Sequence, residues 1–190
     1  MKLLEDKIVS DGTVLGGNIL KVGSFLNQQL DTAFLAKMGE EIKRIYESDG
    51  VTKILTIEAS GIAIATAAGI VMGVPVVFAK KNKSANVAGE VYTAKVYSFT
   101  HKKEYTVTVP KEYLSADDKI VIVDDFLANG KALEGLIDIV NQSGATLVGA
   151  TCAIEKGFQG GGDVLREQGI RVESLAIVDE MNEGTIKFRK

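Results

Sequence analysis

A chain of 190 residues, 46% of them hydrophobic, is large enough to bury one substantial core and reads as a single domain. Its 22 basic and 25 acidic residues leave a net charge of −3, which gives no electrostatic reason to expect nucleic acid or a membrane surface as a partner. One cysteine, Cys152, excludes an intrachain disulfide, in keeping with a cytoplasmic setting, and one histidine, His101, excludes a His-based triad or a His-rich metal site.

In chain order, charges arrive too early for a signal peptide, no apolar run approaches membrane-spanning length, and residues 3–9 read as a short helix. A Gly-punctuated stretch follows to about residue 30. Asp31 can cap a helix whose stripe is Phe34, Leu35, Met38, Ile42 and Ile45, at spacings of three and four, and Asp49-Gly50 ends it. Residues 53–57 form a strand, 58–61 a tight loop, 62–72 an apolar helix closed by Gly73, and 74–79 the next strand. Such a unit implies two parallel strands joined by a right-handed crossover. The pattern recurs at 119–123, 131–143 and 146–155, which predicts an α/β fold with an open, mostly parallel twisted sheet flanked by helices. Between the two units, residues 80–90 are polar, and 91–97 and 104–109 read as an antiparallel hairpin with a charged tip at 99–103 that contains His101. Pattern alone leaves that hairpin as either a projecting flap or an ordinary edge hairpin. Cys152 lies in the apolar run 147–154 and reads as a buried core thiol.

The segment 119–132 carries the chemistry. An apolar strand ends in two adjacent carboxylates, Asp124 and Asp125, and a short loop with Asn129-Gly130 opens a helix. Ligands of open α/β sheets sit beyond the strand carboxyl ends, and the free N–H groups of a helix start suit a phosphate. The acids suit hydroxyls or a hydrated Mg²⁺. One loop therefore offers a phosphate cradle beside a hydroxyl or metal clamp, a site for a phosphorylated sugar. A Walker P-loop does not fit, because Ala132 follows Gly130-Lys131 and Asp125 stands where the first glycine is needed. A receiver domain carries its acid pair early in the chain, whereas this pair lies two-thirds of the way along. A solvated turn with helix-capping acids is the remaining alternative, weakened by the Asn-Gly loop standing in register with the helix.

That run resembles the phosphoribosyl-diphosphate (PRPP) motif of type I phosphoribosyltransferases, with one departure: Asn129 stands where most members have Thr. The 5′-phosphate contact of that Thr must then come from the Asn amide or be lost. The likeness extends through residues 19–22 and 24–27, Glu58-Ala59-Ser60-Gly61 and Glu155-Lys156-Gly157-Phe158-Gln159, and is closest to the purine branch that acts on xanthine. The resemblance implies one domain over 1–190, with a small hood from about 1–30 and 156–190 and a mobile flap at about 80–110. It implies transfer of a 5-phosphoribosyl group from PRPP to N9 of xanthine, with pyrophosphate leaving, and a homodimer.

By the same resemblance, Asp124 and Asp125 hold the ribose hydroxyls and the developing positive charge. Ala128, Asn129, Gly130, Lys131 and Ala132 wrap the 5′-phosphate, and Ala59, Ser60, Gly61, Lys80 and Lys81 meet the pyrophosphate. Mg²⁺ rides on the pyrophosphate through waters, with no direct protein ligand. Leu20, Asn27, Lys156 and Phe158 form the xanthine pocket, with Asn27 and Lys156 reading the oxo groups. Read without the resemblance, Leu20 and Phe158 belong in a core, Asn27 in a turn or cap, and the two lysines in solvent. Some purine members have an Asp general base where this chain has Ala128, so another group takes the proton or the base arrives ionised. Guanine or hypoxanthine as acceptor is a sister reading. A PRPP-sensing regulator would need a nucleic-acid-binding appendage and a basic face, which roughly thirty residues before the first long helix and a net charge of −3 do not supply.

Overall fold

The computed structural model describes residues 1–81, 89–98 and 103–190. His101, the hairpin tip at 99–102 and residues 82–88 of the expected flap lie outside the described residues. The chain opens with α1 (Lys2–Asp11), two short antiparallel strands β1 (Thr13–Leu15) and β2 (Ile19–Lys21), and a π-helical turn over Gly23–Asn27. Sequence pattern predicts an irregular stretch here. The ladder forms because cross-strand pairing closes β1 onto β2 around Gly16 and Gly17, both at positive φ.

The long amphipathic helix α2 (Thr32–Tyr46) follows, and Asp31 caps it as expected by accepting from the Phe34 N–H at 3.0 Å. Its Phe34, Leu35, Met38 and Ile42 are buried, each contributing about 1.5–3 kcal/mol of transfer free energy. Next come β3 (Lys53–Ile57), α3 (Gly61–Met72), β4 (Val76–Lys81), and the hairpin β5 (Val91–Ser98) and β6 (Lys103–Pro110). The second half runs β7 (Lys119–Leu127), α4 (Lys131–Ser143), β8 (Thr146–Lys156), α5 (Gly161–Glu167), β9 (Val172–Asn182) and β10 (Thr185–Phe188).

Eight strands make one sheet in the order β10-β9-β8-β7-β3-β4-β6-β5. Its centre, β9 to β4, is parallel, and β10, β6 and β5 add antiparallel margins. Side chains alternate across β7: Val121 and Val123 pack with α1, α2 and α3, while Ile120 and Ile122 pack with α4. Helices thus cover both faces, as the apolar runs of the central strands require.

Two strands depart clearly from expectation: β4 starts two residues later than expected and continues through Lys80 and Lys81, which pair with β6. β7 does not stop at Val123; it continues through both acids to Leu127, with Asp124 opposite Cys152 and Phe126 opposite Ile154. Pairing with β8 overrides the poor strand propensity of aspartate. The sheet order reverses between β3 and β7, because the chain leaves β3 toward β4 and leaves β7 toward β8. That reversal opens a crevice at the carboxyl ends of β3 and β7.

Candidate active site

Asp124 and Gly61 meet in this crevice. Gly61 begins α3, and a Cβ placed on it would stand 2.8 Å from Asp124 Oδ1 and 2.4 Å from Thr56 Oγ1, so only glycine fits. Asp124 is 5% exposed. Burial first, and then the charge of Asp125, push its carboxyl well above the usual range, while the Asp125 N–H at 2.9 Å and the charge of Lys81 pull the other way. A carboxylate in this setting gains from ligand hydroxyls, or from positive charge, that would help hold it ionised.

The loop after β7 is a small cradle of about 90 Å³, lined by Ala128, Asn129, Gly130, Lys131 and Ala132 along with Asp124. The first N–H groups of α4 open onto it, at the positive end of a 13-residue helix. Asn129 Oδ1 accepts from the Lys131 N–H at 3.2 Å, which leaves the Asn129 amide N–H groups free to donate. The Lys131 ammonium is held by Glu134 at 2.7 Å. The cradle therefore relies on backbone and amide donors.

A support outside the motif holds the cradle from below. Gly161 at the start of α5 donates to the Ala128 carbonyl at 3.2 Å. The helix is anchored by Arg166, which reaches the fully buried Glu155 at 2.6 and 2.9 Å and the Val172 carbonyl at 3.1 Å. Ser174 Oγ also donates to Glu155. Arg189 pairs with both Asp163 and Asp179, tying α5 to β9 and raising its own pKa further. Sequence reading missed this support: Asp163 and Arg166 have helical spacing, but the Arg166–Glu155, Arg189–Asp163 and Gly161–Ala128 contacts join different elements and carry no spacing signal.

Leu20 and Asn27 line one cavity of about 680 Å³ with Asp11, Lys21, Ser24 and Gln28. Leu20 is buried, as its apolar character predicts. Lys156 lies at the end of β8, with its ammonium 5.7 Å from the Phe126 ring centre and 2.9 Å from the Asn18 carbonyl, and burial lowers its pKa. Asn18 directly precedes β2, the strand that carries Leu20, so Lys156 bridges that strand and β7, which carries the acids.

A family model described as the phosphoribosyl transferase domain matches residues 27–183. The chain belongs to the phosphoribosyltransferases. It is 56% identical to a xanthine phosphoribosyltransferase of Lachnoclostridium phytofermentans, over 100% of this chain and 98% of the relative. It is 55% identical to one from Bifidobacterium longum, over the full length of both. Among solved structures it is similar in fold to an adenine phosphoribosyltransferase of Giardia lamblia complexed with 9-deazaadenine, with a TM-score of 0.76 at 21% identity, covering 92% of this chain and 96% of that one. The open sheet with its antiparallel hairpin is the type I phosphoribosyltransferase fold, as expected, and the chain is an enzyme.

The other expected phosphoribosyltransferase residues divide. Ala59 and Ser60 form the loop from β3 to α3, entered through a cis Glu58–Ala59 peptide bond, and Glu58 Oε1 accepts from the Lys81 N–H at 2.5 Å. Lys81 stands 5.5 Å from the Tyr105 ring centre and acts electrostatically on Asp124. Lys80, 6.0 Å from the Phe78 ring centre, faces the opposite side of β4, because successive strand residues alternate. The structure thus draws Lys81, and not Lys80, to the acids. Phe158 sits in a short turn at 43% exposure rather than in the core, and it does not line the cavity of Leu20 and Asn27. Phe126 went unnoticed in the sequence, although an aromatic residue directly after the acid pair is a readable signal.

Burial pushes the Cys152 thiol well up, which suits an inert core residue. Among the described residues, no group of three or more His, Cys, Asp or Glu side chains is positioned to cage a metal. A magnesium ion carried on pyrophosphate oxygens and waters needs no such cage, and the acids would reach it only through those waters. No helix of the described residues is long and apolar enough to cross a membrane.

Proposed function

We propose that this chain transfers the 5-phosphoribosyl group of PRPP to N9 of xanthine, giving xanthosine 5′-monophosphate and pyrophosphate in purine salvage. The observation that carries this reading is the crevice itself, a buried acid beside a backbone-lined phosphate cradle, in a chain 56% identical end to end to a xanthine phosphoribosyltransferase. Asp124 and Asp125 take the ribose 2′- and 3′-hydroxyls and face the charge that builds at the anomeric carbon. Residues 128–132 hold the 5′-phosphate. Ala59, Ser60, Gly61 and Lys81 meet the pyrophosphate, with Lys80 in a lesser, outer role. Magnesium, when bound to the pyrophosphate, neutralises charge on the leaving group.

In this reading Leu20 and Asn27, which line one cavity, form the base pocket together with Lys156, and the exposed ring of Phe158 stacks on the base. Burial disfavours the Lys156 ammonium, and its bond to the Asn18 carbonyl leaves further N–H donors that an exocyclic oxygen of the base would satisfy. No side chain at Ala128 can accept the N9 proton. Of the two remaining routes, another acceptor or a base already ionised, we take the second, and turnover that ignores the ionisation of free xanthine would contradict it. The hood, the flap, the homodimer and the cytoplasmic setting belong to the same reading.

Lys156→Ala tests the base pocket. It is expected to raise KM for xanthine about tenfold to a hundredfold, the loss of one charge-assisted hydrogen bond, while leaving KM for PRPP nearly unchanged. Steady-state kinetics with each substrate varied in turn measures both, and an equal rise in the two constants would count against this assignment.

A further inference from the structure

Thr56 lies near the end of β3, fully buried, and its hydroxyl is without a hydrogen-bond partner. Buried hydroxyls nearly always find a partner, and an unpaired one destabilises the fold that holds it. Valine has the same shape without that penalty, so a threonine here needs a reason. Its surroundings supply one. The position a Gly61 Cβ would occupy is 2.4 Å from Thr56 Oγ1 and 2.8 Å from Asp124 Oδ1, so hydroxyl and carboxyl border the same narrow gap. In the free chain that carboxyl oxygen is already engaged by the Asp125 N–H at 2.9 Å.

We propose that Thr56 is a positioning residue for Asp124, whose hydroxyl donates to the Asp124 carboxylate once that carboxylate turns to grip the ribose hydroxyls. This rests on the reading of Asp124 as a ribose-holding acid and adds a donor that reading does not contain. The bound carboxylate needs to be both ionised and fixed in direction. A hydroxyl donor on the adjacent strand supplies both, and it competes with no ligand because it lies beneath the crevice floor. The charged and titratable groups around Asp124 are Asp125 on its own strand, Lys81 on β4, Tyr105 on β6 and Cys152 on β8. Of these Lys81 alone is cationic, so a neutral donor at Thr56 adds stabilisation that the neighbours do not duplicate.

The test is kinetics, calorimetric PRPP binding and thermal melting of Thr56→Val and Thr56→Ser, with Thr56→Val also made in an Asp124→Asn background. Thr56→Val is expected to melt no lower than the parent, to lose about tenfold to a hundredfold in kcat/KM for PRPP, and to move the acid limb of that profile to higher pH. KM for xanthine stays near the parent value, and Thr56→Ser recovers most of the loss. In the Asp124→Asn background Thr56→Val leaves PRPP affinity where Asp124→Asn alone put it. Unchanged kcat/KM in Thr56→Val, or a clear drop in melting temperature, overturns the proposal while leaving the role of Asp124 intact. Full PRPP affinity and turnover in Asp124→Asn alone overturns the ribose reading and this proposal with it.

Discussion

Asp124→Asn lowers kcat/KM for PRPP by about a hundredfold to a thousandfold while raising thermal stability at neutral pH. The first effect follows from the proposed role of this buried carboxylate: it would face the carbon that turns cationic as pyrophosphate leaves, shielded from water, where a charge is worth far more than in solution. The second follows from burial. The folded chain raises the Asp124 pKa, so it binds this proton more tightly than the unfolded chain does. Stability from that difference is fully present below the unfolded pKa and is lost as pH rises through the folded one. At neutral pH an uncharged amide of the same shape removes the cost of desolvating a carboxylate beside Asp125. Melting curves across the pH range check the sign: the gain in Asp124→Asn grows from acid toward neutral pH. A variant less stable than the parent at neutral pH would mean that the folded chain favours the Asp124 carboxylate and does not raise its pKa.

Gly161→Ala is expected to weaken PRPP use about a hundredfold, although Gly161 touches no expected substrate atom. Its added Cβ would lie 2.4 Å from the Ala128 carbonyl oxygen, 2.4 Å from the Asn129 carbonyl carbon and 2.5 Å from the Gly130 nitrogen. All three are backbone atoms of the cradle, so no side-chain rotation relieves the clash. Either α5 or the cradle must shift, and a displacement of about 1 Å at a positioning loop costs on the order of a hundredfold in rate. The overpacking itself destabilises by about 1–3 kcal/mol. Gly160→Ala is the control, because a Cβ there meets nothing within 4 Å. It carries only the left-handed backbone cost of about 1–2 kcal/mol, at φ 74, and leaves kcat/KM for PRPP intact. Equal effects from the two variants would remove α5 from the account of phosphate binding.

Local physics made much of this legible in the sequence. The bounds of β3 and α4, the Asp31 cap and the buried stripe of α2 follow from periodicity, capping chemistry and apolar runs, which act within a few residues. The acid pair and the Asn-Gly loop were legible because strand, loop and helix start are contiguous. The extension of β7 through its acids was not, since it is decided by the β8 ladder more than twenty residues away. The Glu155–Arg166 and Asp163–Arg189 pairs and the seat of Gly161 under Ala128 were hidden because they join elements that only the fold brings together. Lys80 and Lys81 look alike in sequence, and only the pairing of β4 with its neighbours tells which faces the acids. Thr56 gives no sign at all until the fold sets Gly61 and Asp124 beside it.

The most direct test of the central claim is a competition in which xanthine, guanine, hypoxanthine and adenine are offered together with PRPP and Mg²⁺, and the nucleotides formed are separated and quantified. The account predicts xanthosine 5′-monophosphate as the dominant product, formed in step with pyrophosphate. Guanosine or inosine monophosphate as the main product would contradict the base pocket built on Leu20, Asn27 and Lys156. No nucleotide at all, with PRPP still bound, would contradict the transferase reading itself.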